Sequence, residues 1–118
     1  MLKTYENFTS QTAIHPHAHT GNRDELMYLS LGMVCEAGEV GNKIKCFFFD
    51  STLQKGDKES VLKECGQTLW YLTRLINALG GNVEDVIKMN VSEVKERMKN
   101  NAATTQIKRD FYSRGNKV

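Results

Sequence analysis

Proline is all but missing from this 118-residue chain, and the one example, Pro16, lies near its start. Nothing of that kind breaks a helix anywhere beyond it, which favours an all-α protein. Long apolar runs are absent too. No stretch is able to span a bilayer, and the opening MLKTYENFTS lacks the hydrophobic segment of a secretory signal, so membrane is not an expected partner and the cytoplasm is the expected location. An excess of one charge is also lacking: 16 Lys and Arg against 14 Asp and Glu leave +2, too little for a field that gathers nucleic acid. Cysteine is scarce and odd in number. Cys35, Cys46 and Cys65 have apolar neighbours and no CxxC spacing, and are expected to be reduced thiols in or near the core.

What remains is helical periodicity. At this length one domain is expected, over residues 1–100, followed by a basic tail at 101–118 that carries +3 while the rest sums to −1. Tyr5, Phe8, Thr12 and Ile14 mark a short helix over residues 3–14, which stops before His15-Pro16 because proline disfavours helix in its predecessor. Residues 15–22, HPHAHTGN, read as a loop that ends on Asn22 or Asp24 as a helix cap. If that loop is extended, His15, His17 and His19 point the same way, and a solvated position beside a substrate entrance is expected for them.

Leu26, Leu29, Met33, Val40, Ile44 and Phe47 then give an amphipathic helix from about residue 23 to 48. A polar linker at residues 50–56 leads to Asp57 as the expected cap of a third helix, with a stripe of Leu62, Cys65, Leu69, Leu72, Ile76 and Leu79. Gly80-Gly81 ends it. Asn82 is expected to cap a fourth helix, whose buried stripe is Val83, Val86, Ile87, Val91, Val94 and Met98. The fold expected is an all-α helical bundle of about four to five helices.

Two acidic doublets interrupt these stripes. Glu36 and Glu39 lie i,i+3 on the second helix, and Glu64 and Gln67 lie i,i+3 on the third. Residues so spaced project from one face of a helix, a turn apart. A carboxylate in an apolar stripe has to pair with something or bind something, because burying it alone is costly. Three carboxylates and one amide oxygen between two helices suit a hard cation, Mg²⁺ or Mn²⁺, better than zinc. Lys43, one turn beyond Glu39, is spaced for an i,i+4 surface pair with it, and Lys45 follows two residues on. Trp70 beside Tyr71 offers an aromatic face to a nucleobase or to the core.

LGMVCEAGEVGNKIK, KECGQTLWYL and LGGNVEDVIKMN together resemble the MazG-like, all-α nucleoside triphosphate pyrophosphohydrolases, over roughly residues 5–98. That family carries ExxE and then ExxD on adjacent helices, and the pattern falls on Glu36, Glu39, Glu64 and Gln67. The resemblance implies metal-dependent cleavage of a nucleoside triphosphate to the monophosphate and pyrophosphate, with Glu36, Glu39 and Glu64 catalytic and metal-binding, Gln67 a fourth ligand, and a homodimer or homotetramer as the assembly. It also matches Asn90 to an asparagine that reaches the nucleotide, and implies that Lys43 and Lys45 offset charge on the pyrophosphate leaving group and that Trp70 faces the base. The chain differs from the family pattern at Cys35, where the longer motif has glutamate, at Glu93, where lysine is frequent, and at Gln67 in place of aspartate. Glutamine keeps a carbonyl oxygen but is neutral and one methylene longer. The alternative reading is therefore a nucleotide-binding or regulatory module whose catalysis Gln67 impairs.

Overall fold

The structure, a computed structural model, describes residues 1–49 and 55–115. Four helices and no strand occupy them: α1 (Leu2–Thr12), α2 (Arg23–Phe49), α3 (Lys55–Ala78) and α4 (Val83–Gly115). The expected all-α class is what the chain adopts. Positions 50–54 of the expected linker lie outside the described residues. Lys55 and Gly56 already belong to α3, so Asp57 sits in its first turn rather than capping it. The expected tail is helical as well, since α4 runs on to Gly115. Residues 101–114 lack a regular apolar stripe, yet Ala102, Ala103, Gln106, Lys108 and Arg109 are good helix formers and no glycine or proline breaks in.

The chain divides into two compact units, Met1–Val83 and the stretch from Glu84 onward. In the first, α2 packs along α3 and α1 rests on α3. The α2 and α3 axes run antiparallel. Gly21, just before α2, meets Ala78 at the end of α3, Gly32 meets Tyr71 halfway along, and Lys43 reaches Ser60 near the start of α3. Tyr71 occupies the space that a side chain at Gly32 would need, which draws the two backbones together at that point.

Capping fixes the element boundaries. Asn22 Oδ1 accepts the backbone N–H of Glu25 at 3.0 Å, the bond expected of an N-cap. At the other end of the pair, Gly80 has φ +83° while the Gly80 and Gly81 amides bond to Asn77 O and Ile76 O, a Schellman ending that needs a residue without Cβ.

Residues 15–22 are not extended. His17 and His19 have φ of 62° and 65°, and two successive turns close with Ala18 N to His15 O and Thr20 N to His17 O. Histidine tolerates the left-handed region better than most side chains, so the three rings do not share a direction. His15 turns inward, with its side chain 4% exposed.

The interior is polar. Leu29 and Ala13 are the apolar residues buried outright among those described, beside Glu6, Thr9, Glu25, Thr73 and Arg74. The expected core thiols are corrected here: Cys35, Cys46 and Cys65 are all exposed. So are the expected buried stripes of α3 and α4 in large part, with Leu62 at 68% and Met98 at 65%. Each of these helices carries more apolar surface than the chain itself covers. No described helix is long and apolar enough to cross a membrane.

Candidate functional site

Glu36 on α2 stands one turn past the Gly32–Tyr71 contact, where the antiparallel register sets it against Glu64 on α3. The two carboxyls lie close enough to act on one another directly, and their surroundings push them in opposite directions. Partial burial, the contact with Glu64 and the negative charges of Glu64 and Glu39 all raise Glu36. The Lys43 ammonium holds Glu64 below the ordinary carboxylate range, and the contact with Glu36 adds to that effect against partial burial. Glu39 is exposed on the same side of α2, within electrostatic reach of Glu36.

Lys43 crosses the helix interface. Its Nζ donates to Glu64 Oε1 at 2.9 Å, to Ser60 Oγ at 2.8 Å and to Ser60 O at 3.4 Å. Lys45, two residues on, lies on another face of α2 and is exposed. Gln67 is exposed one turn along α3 from Glu64. Among the described residues no three His, Cys, Asp or Glu side chains converge closely enough to hold a metal ion as they stand. Of these carboxylates, Glu64 is paired with the Lys43 ammonium.

An aromatic cleft adjoins this cluster. Thr12, Ile14, His15, Pro16, Tyr28, Trp70 and Tyr71 line a cavity of about 340 Å³. His15 stacks on Tyr28 with ring centres 5.0 Å apart and planes 8° from parallel, and Trp70 stands edge-on to His15 and to Tyr71. Trp70 is half-buried and its Nε1 donates to Thr12 Oγ1 at 2.9 Å, which fixes the indole at the rim. Tyr71 joins the two regions. Burial, the hydrogen bond with Tyr28 and the charge of Glu36 together push its hydroxyl up. Asn90 lies exposed on α4, in the second unit.

Glu25 holds the cleft in shape. Its carboxylate, 2% exposed, accepts from Gly21 N at 2.9 Å, His19 N at 2.8 Å and His15 Nε2 at 2.8 Å. Burial raises this carboxyl, but the bonds from Gly21, His15 and His19 outweigh it and the net shift is downward. The inward His15 Nδ1 has no hydrogen-bond partner among the described residues. A second polar knot secures α1: Arg74 Nη1 donates to Thr9 Oγ1 and Asn77 Oδ1, and Asn77 Nδ2 donates to Glu6 Oε2. Glu6 Oε1 also accepts the first amide of α4, Val83 N, at 2.7 Å. The periodicity of the sequence pointed to none of Glu6, Glu25 or Arg74. For Glu25 a signal existed, because Asn22-x-x-Glu25 has the spacing of a capping box.

The first unit is thus an antiparallel helix pair that gathers acidic side chains and one lysine beside an aromatic cleft. No family model and no solved structure matches the chain. It is similar to the Gene 37 protein of Mycobacterium phage L5, with 31% identity over 96 residues that cover 79% of this chain and 84% of that protein. The chain belongs to the family of that phage protein.

Proposed function

We propose that the protein is a MazG-like, metal-dependent nucleoside triphosphate pyrophosphohydrolase, acting in the cytoplasm in nucleotide pool control or clean-up. The observation that carries this is the meeting of Glu36 with Glu64 across α2 and α3, with Glu39 in reach and an aromatic cleft alongside. The donor set suits Mg²⁺ or Mn²⁺: Glu36, Glu39 and Glu64 supply hard oxygens, Gln67 a neutral one, and the cluster already draws in a cation, the ammonium of Lys43. Such an ion, when bound, supplies charge neutralisation on the phosphates and acidification of a water.

The chain's own residues do the rest. Glu36, whose carboxyl is raised by its neighbours, is the strongest base of the cluster once ionised and accepts a proton from the attacking water. Lys43 offsets negative charge on the pyrophosphate side. Trp70 and the cleft beside it, a cavity of about 340 Å³ with aromatic walls, receive the base. Asn90 and Lys45 remain candidate nucleotide contacts on the strength of the family resemblance.

The exposed apolar stripes of α2, α3 and α4 support a homodimer or homotetramer. Gln67 favours one rival, a nucleotide-binding or regulatory module without turnover. Incubation with Mg²⁺ or Mn²⁺ and each common ribo- and deoxynucleoside triphosphate separates the two. Pyrophosphate release establishes the enzyme, binding without release establishes the rival, and neither outcome leaves the site without a function of this class.

A further inference from the structure

Arg74 is buried, 6% exposed, and its guanidinium is only partly satisfied. Nη1 donates to Thr9 Oγ1 at 3.3 Å and to Asn77 Oδ1 at 3.1 Å, while Nε has no hydrogen-bond partner among the described residues. The two carboxylates whose charges reach it are engaged elsewhere. Glu25 accepts from Gly21, His15 and His19, and Glu6 accepts from Asn77 and Val83. Burial lowers the pKa of Arg74 against the raising effect of both charges, so the guanidinium is short of a bonded counter-charge. A buried N–H on a cation is costly unless something accepts from it. Arg74 also lines a cavity of about 320 Å³ between α1 and the end of α3, with Lys3, Glu6, Asn7, Ser10 and Asn77 in its wall. Lys3 and Arg74 against Glu6 leave that wall one positive charge in excess. Asn7 and Ser10 add an amide and a hydroxyl, both able to donate to oxygen.

We propose that this cavity binds a small oxyanion of the phosphate class, with Arg74 Nε as a donor and Lys3 at the rim. A phosphate presents two oxygens to one edge of a guanidinium, the pairing that arginine makes best. Lys3 is exposed on α1 and supplies the second charge. Arg74 stands ten residues beyond Glu64 on α3, about 15 Å along the helix, so the site is separate from the carboxylate cluster and independent of the function proposed above. Because Lys3 and Ser10 belong to α1 and Arg74 to α3, the bound ion ties these two helices together. Free phosphate and the phosphate group of a small organic ester offer the same chemistry to this wall.

The test uses the full chain with no added metal. Inorganic phosphate and ribose 5-phosphate, which carries no base for the aromatic cleft, are titrated at constant ionic strength into the natural protein, Arg74→Lys, Lys3→Gln and Lys43→Met. Binding is read by calorimetry and from the Nε–H proton resonance of Arg74. In the natural chain both probes are expected to move that resonance downfield, and phosphate to raise Tm where chloride of equal ionic strength does not. Lys3→Gln, at an exposed position, is expected to weaken phosphate binding by about 2- to 5-fold. Arg74→Lys is expected to weaken it by about 10-fold or more, since lysine cannot present the planar fork. Lys43→Met, at the carboxylate cluster, should bind as the natural chain does. Tighter binding of ribose 5-phosphate than of phosphate assigns the cavity to an organic ester, and equal or weaker binding assigns it to the free ion. An Arg74 resonance that neither probe moves overturns the proposal, whether or not Arg74→Lys folds. So does loss of phosphate binding in Lys43→Met with none in Lys3→Gln, which places the anion at the carboxylate cluster instead.

Discussion

Tyr71 fills the space over Gly32, and that one contact sets how closely α2 and α3 approach. A Cβ built at Gly32 would overlap Tyr71 Cε1 and lie 2.8 Å from Cζ, far inside van der Waals contact. Because Glu36 follows Gly32 by one turn and meets Glu64 across the interface, the spacing that lets the two carboxyls act on one another depends on a residue with no side chain.

Gly32→Ala is therefore expected to destabilise the protein by roughly 1–3 kcal/mol through overpacking. Gly41→Ala, on the same helix with nothing within 4 Å of the new methyl, should stabilise by about 0.5–1 kcal/mol. Urea unfolding of the two variants beside the natural chain checks the opposite signs. Equal shifts would mean that the Gly32–Tyr71 contact does not set the helix spacing.

Glu25 gives the fold an acid-sensitive point. Its carboxyl lies below the ordinary range in the folded chain, so the unfolded chain binds the proton first as pH falls. The stabilisation is complete above the ordinary carboxylate value and is lost as pH drops through the lowered value of the folded state. Glu25→Gln should lose about 1–3 kcal/mol at pH 7, since amide N–H groups of His19 and Gly21 then face a neutral oxygen or none. It should also show a flatter decline between pH 5 and pH 3. Unfolding midpoints over that range are the measurement.

Helix content was legible because one early proline and clear stripes leave little alternative, and Asn22 and the Gly80-Gly81 pair marked boundaries that the structure keeps. The helix beyond residue 100 was not, because the reading followed apolar periodicity and that segment is helical by propensity alone. The i,i+3 doublets put Glu36 on α2 and Glu64 on α3, and the structure sets these two near each other while Glu39 and Gln67 stay exposed. Which partner Lys43 takes was out of reach: the choice of Glu64 across the interface over Glu39 on its own helix depends on the α2–α3 register, and that register follows from the contact at Gly32. Burial was overestimated at Cys35, Cys46 and Cys65 because a stripe shows which face is apolar, not whether the same chain covers it.

The uncovered stripes make a prediction of their own. Met27, Leu31 and Val34 lie at i, i+4 and i+7 on one face of α2 and are 54–62% exposed, and Leu62, Leu69 and Leu72 are exposed on α3. With two apolar residues buried outright among those described, the single chain has little core, and association is expected to supply the remainder. Light scattering should give a mass of two or four chains. Leu31→Lys with Val34→Lys should dissociate the assembly, lower Tm and remove its dependence on protein concentration, whereas an unchanged mass would place the interface elsewhere.

Gln67 is the position at which the proposed activity can be tested apart from stability. It is exposed on α3 one turn from Glu64, so Gln67→Asp should change metal-free stability by no more than about 0.5 kcal/mol. In the presence of Mn²⁺ the added carboxylate supplies the charge that the cluster lacks, and the variant should bind the ion more tightly and release pyrophosphate at least ~10-fold faster. Glu36→Gln should do the reverse on the proposed reading, since it removes the carboxyl to which that reading gives the proton, for a loss of roughly 10²-fold or more in kcat with the fold retained. A gain at Gln67 together with a loss at Glu36 assigns both helices to one reaction centre. A loss at Glu36 with no gain at Gln67 keeps the proton acceptor but removes residue 67 from the ligand set, and the cation would then be held by the three glutamates alone.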